Sequence, residues 1–151
     1  MGYTETFTIT DSTPAEAGTA IGSVVHGLAR FHSITIYADL EGATDGTLDV
    51  YLQNEIAPGV WRDWVHFGQI AADAQAVSVV ASAGFPLEGG IPTSMSEVGT
   101  GDAGSATPAL AAESIVGGHP GNSVRAVYVA GEGTTAGADV TIRFLCWART
   151  V

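Results

Sequence analysis

A two-residue period runs through the chain and restricts its fold more than any other feature. In Ile34-Thr35-Ile36-Tyr37-Ala38-Asp39-Leu40-Glu41, the residues Ile34, Ile36, Ala38 and Leu40 share one face, and Thr35, Tyr37, Asp39 and Glu41 share the other. Successive side chains on a strand point to opposite sides, so this run reads as a half-buried β-strand. Leu48, Val50 and Leu52 alternate in the same way, inward, against outward Asp49, Tyr51 and Gln53. Val140, Ile142, Phe144 and Cys146 alternate against Thr141, Arg143, Leu145 and Trp147. Further strands are expected at Thr4 to Thr10, Gly22 to His26, Trp61 to Phe67, Gln75 to Ser82 and Val124 to Val129. No stretch carries a capped helical stripe, and Leu110 to Ile115 has room for one helical turn at most.

Turn residues punctuate these runs. Asp45-Gly46 between the runs at 34–41 and 47–53 predicts an antiparallel hairpin. Pro58-Gly59 marks the next turn, and the Gly/Thr-rich segment 131–137 suits a hairpin between the last two strands. A parallel crossover needs about a dozen residues, usually helical, which the spacing does not supply. The expected fold is therefore all-β: an antiparallel, jelly-roll-like β-sandwich in a single domain spanning 1–151. Residues 83–122 interrupt the pattern. This stretch is rich in Gly, Ala, Ser, Thr and Pro, and Phe85 is its one aromatic. It reads as a long loop or an arm that becomes ordered on a neighbour.

Charge then narrows the partners. Sixteen acids stand against five bases, all five of them Arg, for a formal net charge of −11. Phosphate neutralisation needs a basic face, so nucleic acid is not the expected partner, and anionic lipid is disfavoured for the same reason. No apolar run approaches the roughly 18 residues of a membrane-spanning helix. Met1 to Thr10 lacks the basic and apolar regions of a signal peptide. Met1-Gly2-Tyr3-Thr4-Glu5-Thr6 matches a myristoylation pattern that is short enough to arise by chance. The single Cys146 excludes an internal disulfide, and no Cys/His group has zinc spacing.

The candidate chemistry is sparse. Asp39, Glu41, Asp45 and Asp49 gather around one predicted hairpin, where solvated acids are expected and a calcium site is the alternative. The histidines His26, His32, His66 and His119 have no G-x-S-x-G partner, and Glu55 with Asp63 would make a glycosidase pair only at the required separation. Arg30, Arg62, Arg125, Arg143 and Arg149 are scattered and are each expected to meet a carboxylate. The better binding candidates are Tyr51, Trp61, Trp64 and His66. The two tryptophans are three apart, so on a strand they point to opposite faces and at least one is core. In a regular strand His66 shares a face with Trp64. Core packing, a protein interface and a sugar-stacking platform all remain open for these residues. We expect no enzymatic activity, no metal and no cofactor.

The run Thr47 to Gln53, a Gly turn, and Trp61 to Ile70 resembles small structural proteins of tailed bacteriophages, as does Gly121 to Val129 with the Gly/Thr loop and Asp139 to Arg143 behind it. The resemblance spans about residues 30–82 and 118–149 and consists of strands and turns, with no catalytic residues to carry over. It implies a β-sandwich head-decoration or cement protein of the virion, often a homotrimer on capsomer junctions. Its partners would be copies of itself and the major capsid protein. It would be assembled in the host cytoplasm and located on the capsid surface. A tail or fibre module and a carbohydrate-binding β-sandwich are the alternatives.

Overall fold

The computed structural model describes residues 2–12, 14, 17–31, 33–41, 47–67, 77–82, 114–115, 121–131 and 139–149. Nine strands follow one another: β1 (Gly2–Ser12), β2 (Gly18–His26), β3 (Ser33–Glu41), β4 (Leu48–Ala57), β5 (Val60–His66), β6 (Val77–Ser82), β7 (Ser114–Ile115), β8 (Ser123–Ala130) and β9 (Asp139–Arg149). The described helical structure is one 3-10 turn, Leu28–Arg30. Every strand pair is antiparallel.

The strands divide into a four-stranded sheet, β1-β9-β3-β6, and a five-stranded sheet, β2-β8-β4-β5-β7. Apart from the two-residue β7, this is two four-stranded sheets. Among the described strands, only β4 and β5 are both consecutive and hydrogen-bonded neighbours. That connectivity is a jelly roll. The alternating apolar faces meet between the sheets. Ile9, Ile34, Ile36, Ala38, Val140, Ile142, Phe144 and Cys146 come from one sheet, and Val25, Leu48, Val50, Leu52, Trp64, Val65, Val124, Ala126 and Tyr128 from the other. Leu28, Phe31 and Phe67 join the same core from outside the strands. Each large aliphatic or aromatic residue buried there contributes about 1.5–3 kcal/mol of transfer free energy.

Two predicted hairpins are not hairpins. β3 pairs with β6 and β9, whereas β4 pairs with β5 and β8, so the segment after Glu41 carries the chain from one sheet to the other. The link between β8 and β9 also crosses between sheets. Two strands with one apolar face each can bury those faces against each other only from opposite sheets, and the sandwich takes that solution. The Pro58-Gly59 turn does close a hairpin. Ala57 pairs with Val60, Gly59 has φ 75°, and its N–H donates to Glu55 Oε1 at 2.9 Å. Proline followed by a left-handed glycine is the residue order of a type II turn.

Within the predicted 83–122 loop or arm, Ser114 and Ile115 are strand, paired to His66 and Val65, rather than part of a helical turn. At its end the Asn122 carbonyl accepts from the Leu28 N–H at 3.2 Å. Residues 83–113 and 116–120 lie outside the described residues.

Candidate functional site

The outward side of the five-stranded sheet is closed over β4, β5 and β8, and exposed on the β2 flank at Ile21 and Val24. Residues alternating away from the core on β4 and β8 are Tyr51, Gln53, Arg125 and Val127, and they are 0, 1, 7 and 0% exposed. Asp63 and His66 on β5 are buried beside them. Buried polar groups are stable when paired, and Arg125, Gln53 and Asp63 pair with one another. Arg125 donates through Nε and Nη2 to Gln53 Oε1 at 2.9 and 2.7 Å, and Gln53 Nε2 donates to Asp63 Oδ1 at 2.9 Å. The Arg125 guanidinium lies 4.4 Å from the centroid of the Trp61 ring, a cation–π stack. Tyr51 and His66 meet edge to face at 6.0 Å. Burial, and next the Asp63 carboxylate, push the Tyr51 phenol up to about 12 against the opposing pull of Arg125. Burial also lowers Arg125 from its usual range, while Tyr51 and Glu55 resist that shift.

This closed network holds three of the four candidate binding residues, Tyr51, Trp61 and His66. Tyr51 and Gln53 alternate away from the core as predicted but are not at solvent. Trp64 is a core residue, 2% exposed, whereas Trp61 is half-buried under Arg125, so the two tryptophans do take opposite faces. His66 does not share a face with Trp64. Val65 pairs with Leu52 and Asp63 with Gln53, which leaves Trp64 as the extra residue of a β-bulge. The bulge turns Trp64 and Val65 both inward and resets His66 to the other side.

The outward side of the four-stranded sheet is built from the same alternation and is open along β1, β3 and most of β9, with Thr141 buried. Thr4, Thr6, Thr8 and Thr10 of β1 lie opposite Trp147, Leu145, Arg143 and Thr141 of β9. On the far flank of β9, Thr35 and Tyr37 of β3 lie opposite Leu145 and Arg143. The four β1 threonines are exposed, and Tyr37, Leu145 and Trp147 are 37, 43 and 41% exposed. Trp147 lies over Gly2: a Cβ there would sit 2.9 Å from Trp147 Nε1, so glycine lets the indole lie along the strand. Tyr37, Leu145 and Trp147 are outward positions in the sequence alternation, whereas the aromatic density around 61–67 marks the facing sheet.

The remaining candidates that are described lie apart or have structural partners. Asp63 is held by Gln53, and Glu55 accepts from Gly59, so both carboxylates have structural partners. His26 Nδ1 is 3.0 Å from Ser123 Oγ. His32, Asp45 and His119 lie outside the described residues, as do the side chains of Asp39 and Glu41. Among the described residues no group of three His, Cys, Asp or Glu is placed to hold a metal. Arg30 pairs with the Glu5 carboxylate at 2.6 Å, but Arg125 is held by an amide, contrary to the expectation of a carboxylate for each Arg. Burial raises the Cys146 thiol to about 11, so at neutral pH it is a protonated core side chain.

No family model matches the sequence, and no curated protein matches it. Among solved structures the chain is similar to one in the "Structure of infectious bursal disease virus Gx strain", at 11% identity and a TM-score of 0.39. The likeness covers 100% of this chain and 37% of that one, so the chain spans little more than a third of its length. Likeness at that level carries no argument about what the chain does.

Proposed function

We propose that the chain is a non-enzymatic structural component of a virus particle, and that it decorates and stabilises the head of a tailed bacteriophage. It holds its place by protein–protein contacts with its own copies, as a homotrimer, and with the major capsid protein on the capsid surface. The observation that carries this reading is the open face of the four-stranded sheet. There Tyr37, Leu145 and Trp147 stand between rows of threonine, with Arg143 half-buried among them. Trp and Tyr dominate interface hot spots, and β-branched threonine loses little rotamer freedom on contact. A net charge of −11 favours solubility before assembly, while the docking face itself carries little charge. Jelly rolls serve virus shells and sugar-binding proteins alike, so the fold is compatible with the reading without deciding it.

The test is composition analysis of purified particles, with heads and tails separated and copy number measured against the shell protein. The proposal expects the chain on heads in a fixed ratio; recovery on tails alone would move it to a tail or fibre module. Binding of the free protein to particles lacking it should be abolished by Trp147→Ala with the fold intact. It should hold or rise slightly from low to high salt, because apolar burial is not weakened by screening.

A second reading is favoured by one feature. The Trp147 indole lies along the sheet over Gly2 and presents a flat aromatic surface of the kind on which sugars stack. Titration with glycans, followed by Trp fluorescence, separates the two. Saturable quenching that Trp147→Ala removes, without particle binding, would support carbohydrate recognition instead.

A further inference from the structure

We propose that β1 is a self-pairing edge: it pairs antiparallel with β1 of a second copy, about Phe7, and joins two four-stranded sheets into one eight-stranded sheet. β1 ends the sheet order, and all eleven of its residues pair with β9 from Gly2↔Arg149 to Ser12↔Asp139 without a register shift. Its other edge has no strand partner among the described residues. A long, straight edge of this kind is a template for another strand, and proteins normally blunt it with a bulge, a proline or a lysine. β2, which ends the facing sheet, is blunted in that way, with its register broken between Ile21 and Val24. β1 has no bulge and no proline, and the chain has no lysine at all.

The charges that β1 does carry are already engaged. Glu5 pairs with Arg30, whose guanidinium also lies 4.9 Å from the Phe31 ring centroid. Asp11 accepts from Ser23 N–H, Ser23 Oγ and Tyr128 Oη at 2.9, 2.7 and 2.8 Å. An incoming strand therefore meets no loose carboxylate.

The choice of a second copy as occupant comes from the pattern of β1 itself. Thr4-Glu5-Thr6-Phe7-Thr8-Ile9-Thr10 is symmetric about Phe7 in its threonines. Two-fold antiparallel pairing there sets Thr4 against Thr10, Thr6 against Thr8, Glu5 against Ile9, and Tyr3 against Asp11. Threonines meet across strands, and no like charges are opposed. The exposed threonine row would then run unbroken across both copies. Such a contact is isologous, and differs from any contact that closes a trimer, so it leaves an even number of chains in the assembly.

The experiment uses the full chain, free of particles. Light scattering should give an even multiple of the 15.4 kDa chain mass. Thr6→Lys with Thr8→Lys places lysines opposite each other and should halve that mass, or weaken association at least ten-fold, with an unchanged circular dichroism spectrum. Because both positions are exposed, the fold should tolerate the change; the single Thr8→Lys serves if it does not. Register is read separately with a thiol cross-linker shorter than about 10 Å. Two Thr4→Cys residues would lie about 20 Å apart along the strands, at about 3.4 Å per residue, and should not be joined. Thr4→Cys mixed with Thr10→Cys should be joined. A monomeric or odd mass overturns the proposal. So does a lysine variant of unchanged mass, or cross-linking of Thr4→Cys alone as readily as the mixture.

Discussion

At the centre of the five-stranded sheet, on β4, β5 and β8, Tyr51, Gln53, Asp63, Arg125 and Val127 alternate away from the core and are buried, while Ile21 and Val24 on the β2 flank are exposed. On the four-stranded sheet the residues that alternate away include Thr4, Thr6, Thr8, Tyr37, Leu145 and Trp147, and these are exposed. Both rows come from the same two-residue period. The period decides which way a side chain points; it does not decide whether water is found there. Each condition imposes its own chemistry. The closed face carries a guanidinium, an amide and a carboxylate linked in one chain of hydrogen bonds, because a buried polar group left unmade costs about 1–3 kcal/mol. The open face needs no such chain and is filled with threonine, which suits a strand at solvent and can also be covered.

The widest separation between the two faces should appear at their tryptophans. Trp64→Ala empties the core and should cost about 3–5 kcal/mol in denaturant unfolding. Trp147→Ala should cost no more than about 1 kcal/mol, since the indole is two-fifths exposed, and should act on binding instead. Equal costs would break the comparison. The arginines should separate next. Arg125→Ala strands the Gln53 amide oxygen and removes the stack on Trp61, and should cost about 3 kcal/mol. Arg143→Ala on the open face should stay within about 0.5 kcal/mol.

Alkaline titration sharpens the comparison further. Tyr51 and Cys146 are both raised in the fold, from 10.0 to about 12 and from 9.0 to about 11, and burial raises Tyr128 further still. A raised group binds its proton more tightly folded than unfolded. Its contribution is complete below the unfolded value and is lost as pH rises through the folded one. The urea midpoint should therefore be level up to about pH 9 and fall between about pH 9 and 12. Tyr51→Phe should flatten part of that fall. The smallest effect expected is that of Thr8→Val on the open face, within about 0.5 kcal/mol, with no change in alkaline slope.

Strand positions were legible in the sequence because alternation is written in side chains alone. Ile34 to Ala38 and Val140 to Cys146 point where their pattern says. Strand partners were not, beyond β4 and β5. Asp45-Gly46 and the 131–137 loop announce a reversal, but turn residues do not reveal whether the chain returns beside itself or passes to the facing sheet. A Pro-Gly pair with two residues between strand ends leaves no length for a crossing, which is why Pro58-Gly59 alone predicted its neighbours. The surroundings of the binding candidates were not legible, for two physical reasons. Nothing local to Tyr51 says that its side of the sheet is closed. The bulge at Trp64 inserts a residue without changing composition, so every face assignment beyond it shifts by one, and His66 was paired with the wrong neighbour.

The pairing of β1 with β9 also sets an order in time. The first strand of the chain finds its partner in the last, Gly2 against Arg149, so the four-stranded sheet cannot close while the ribosome is still adding residues between them. At roughly 5–20 residues per second that interval lasts on the order of ten seconds or more. The β4–β5 hairpin needs only local closure, whereas the β1–β9 ladder must wait for the longest loop among the described strand pairs. The threonine face is thus the last surface to mature. A chain stalled before β9 is made has no such face.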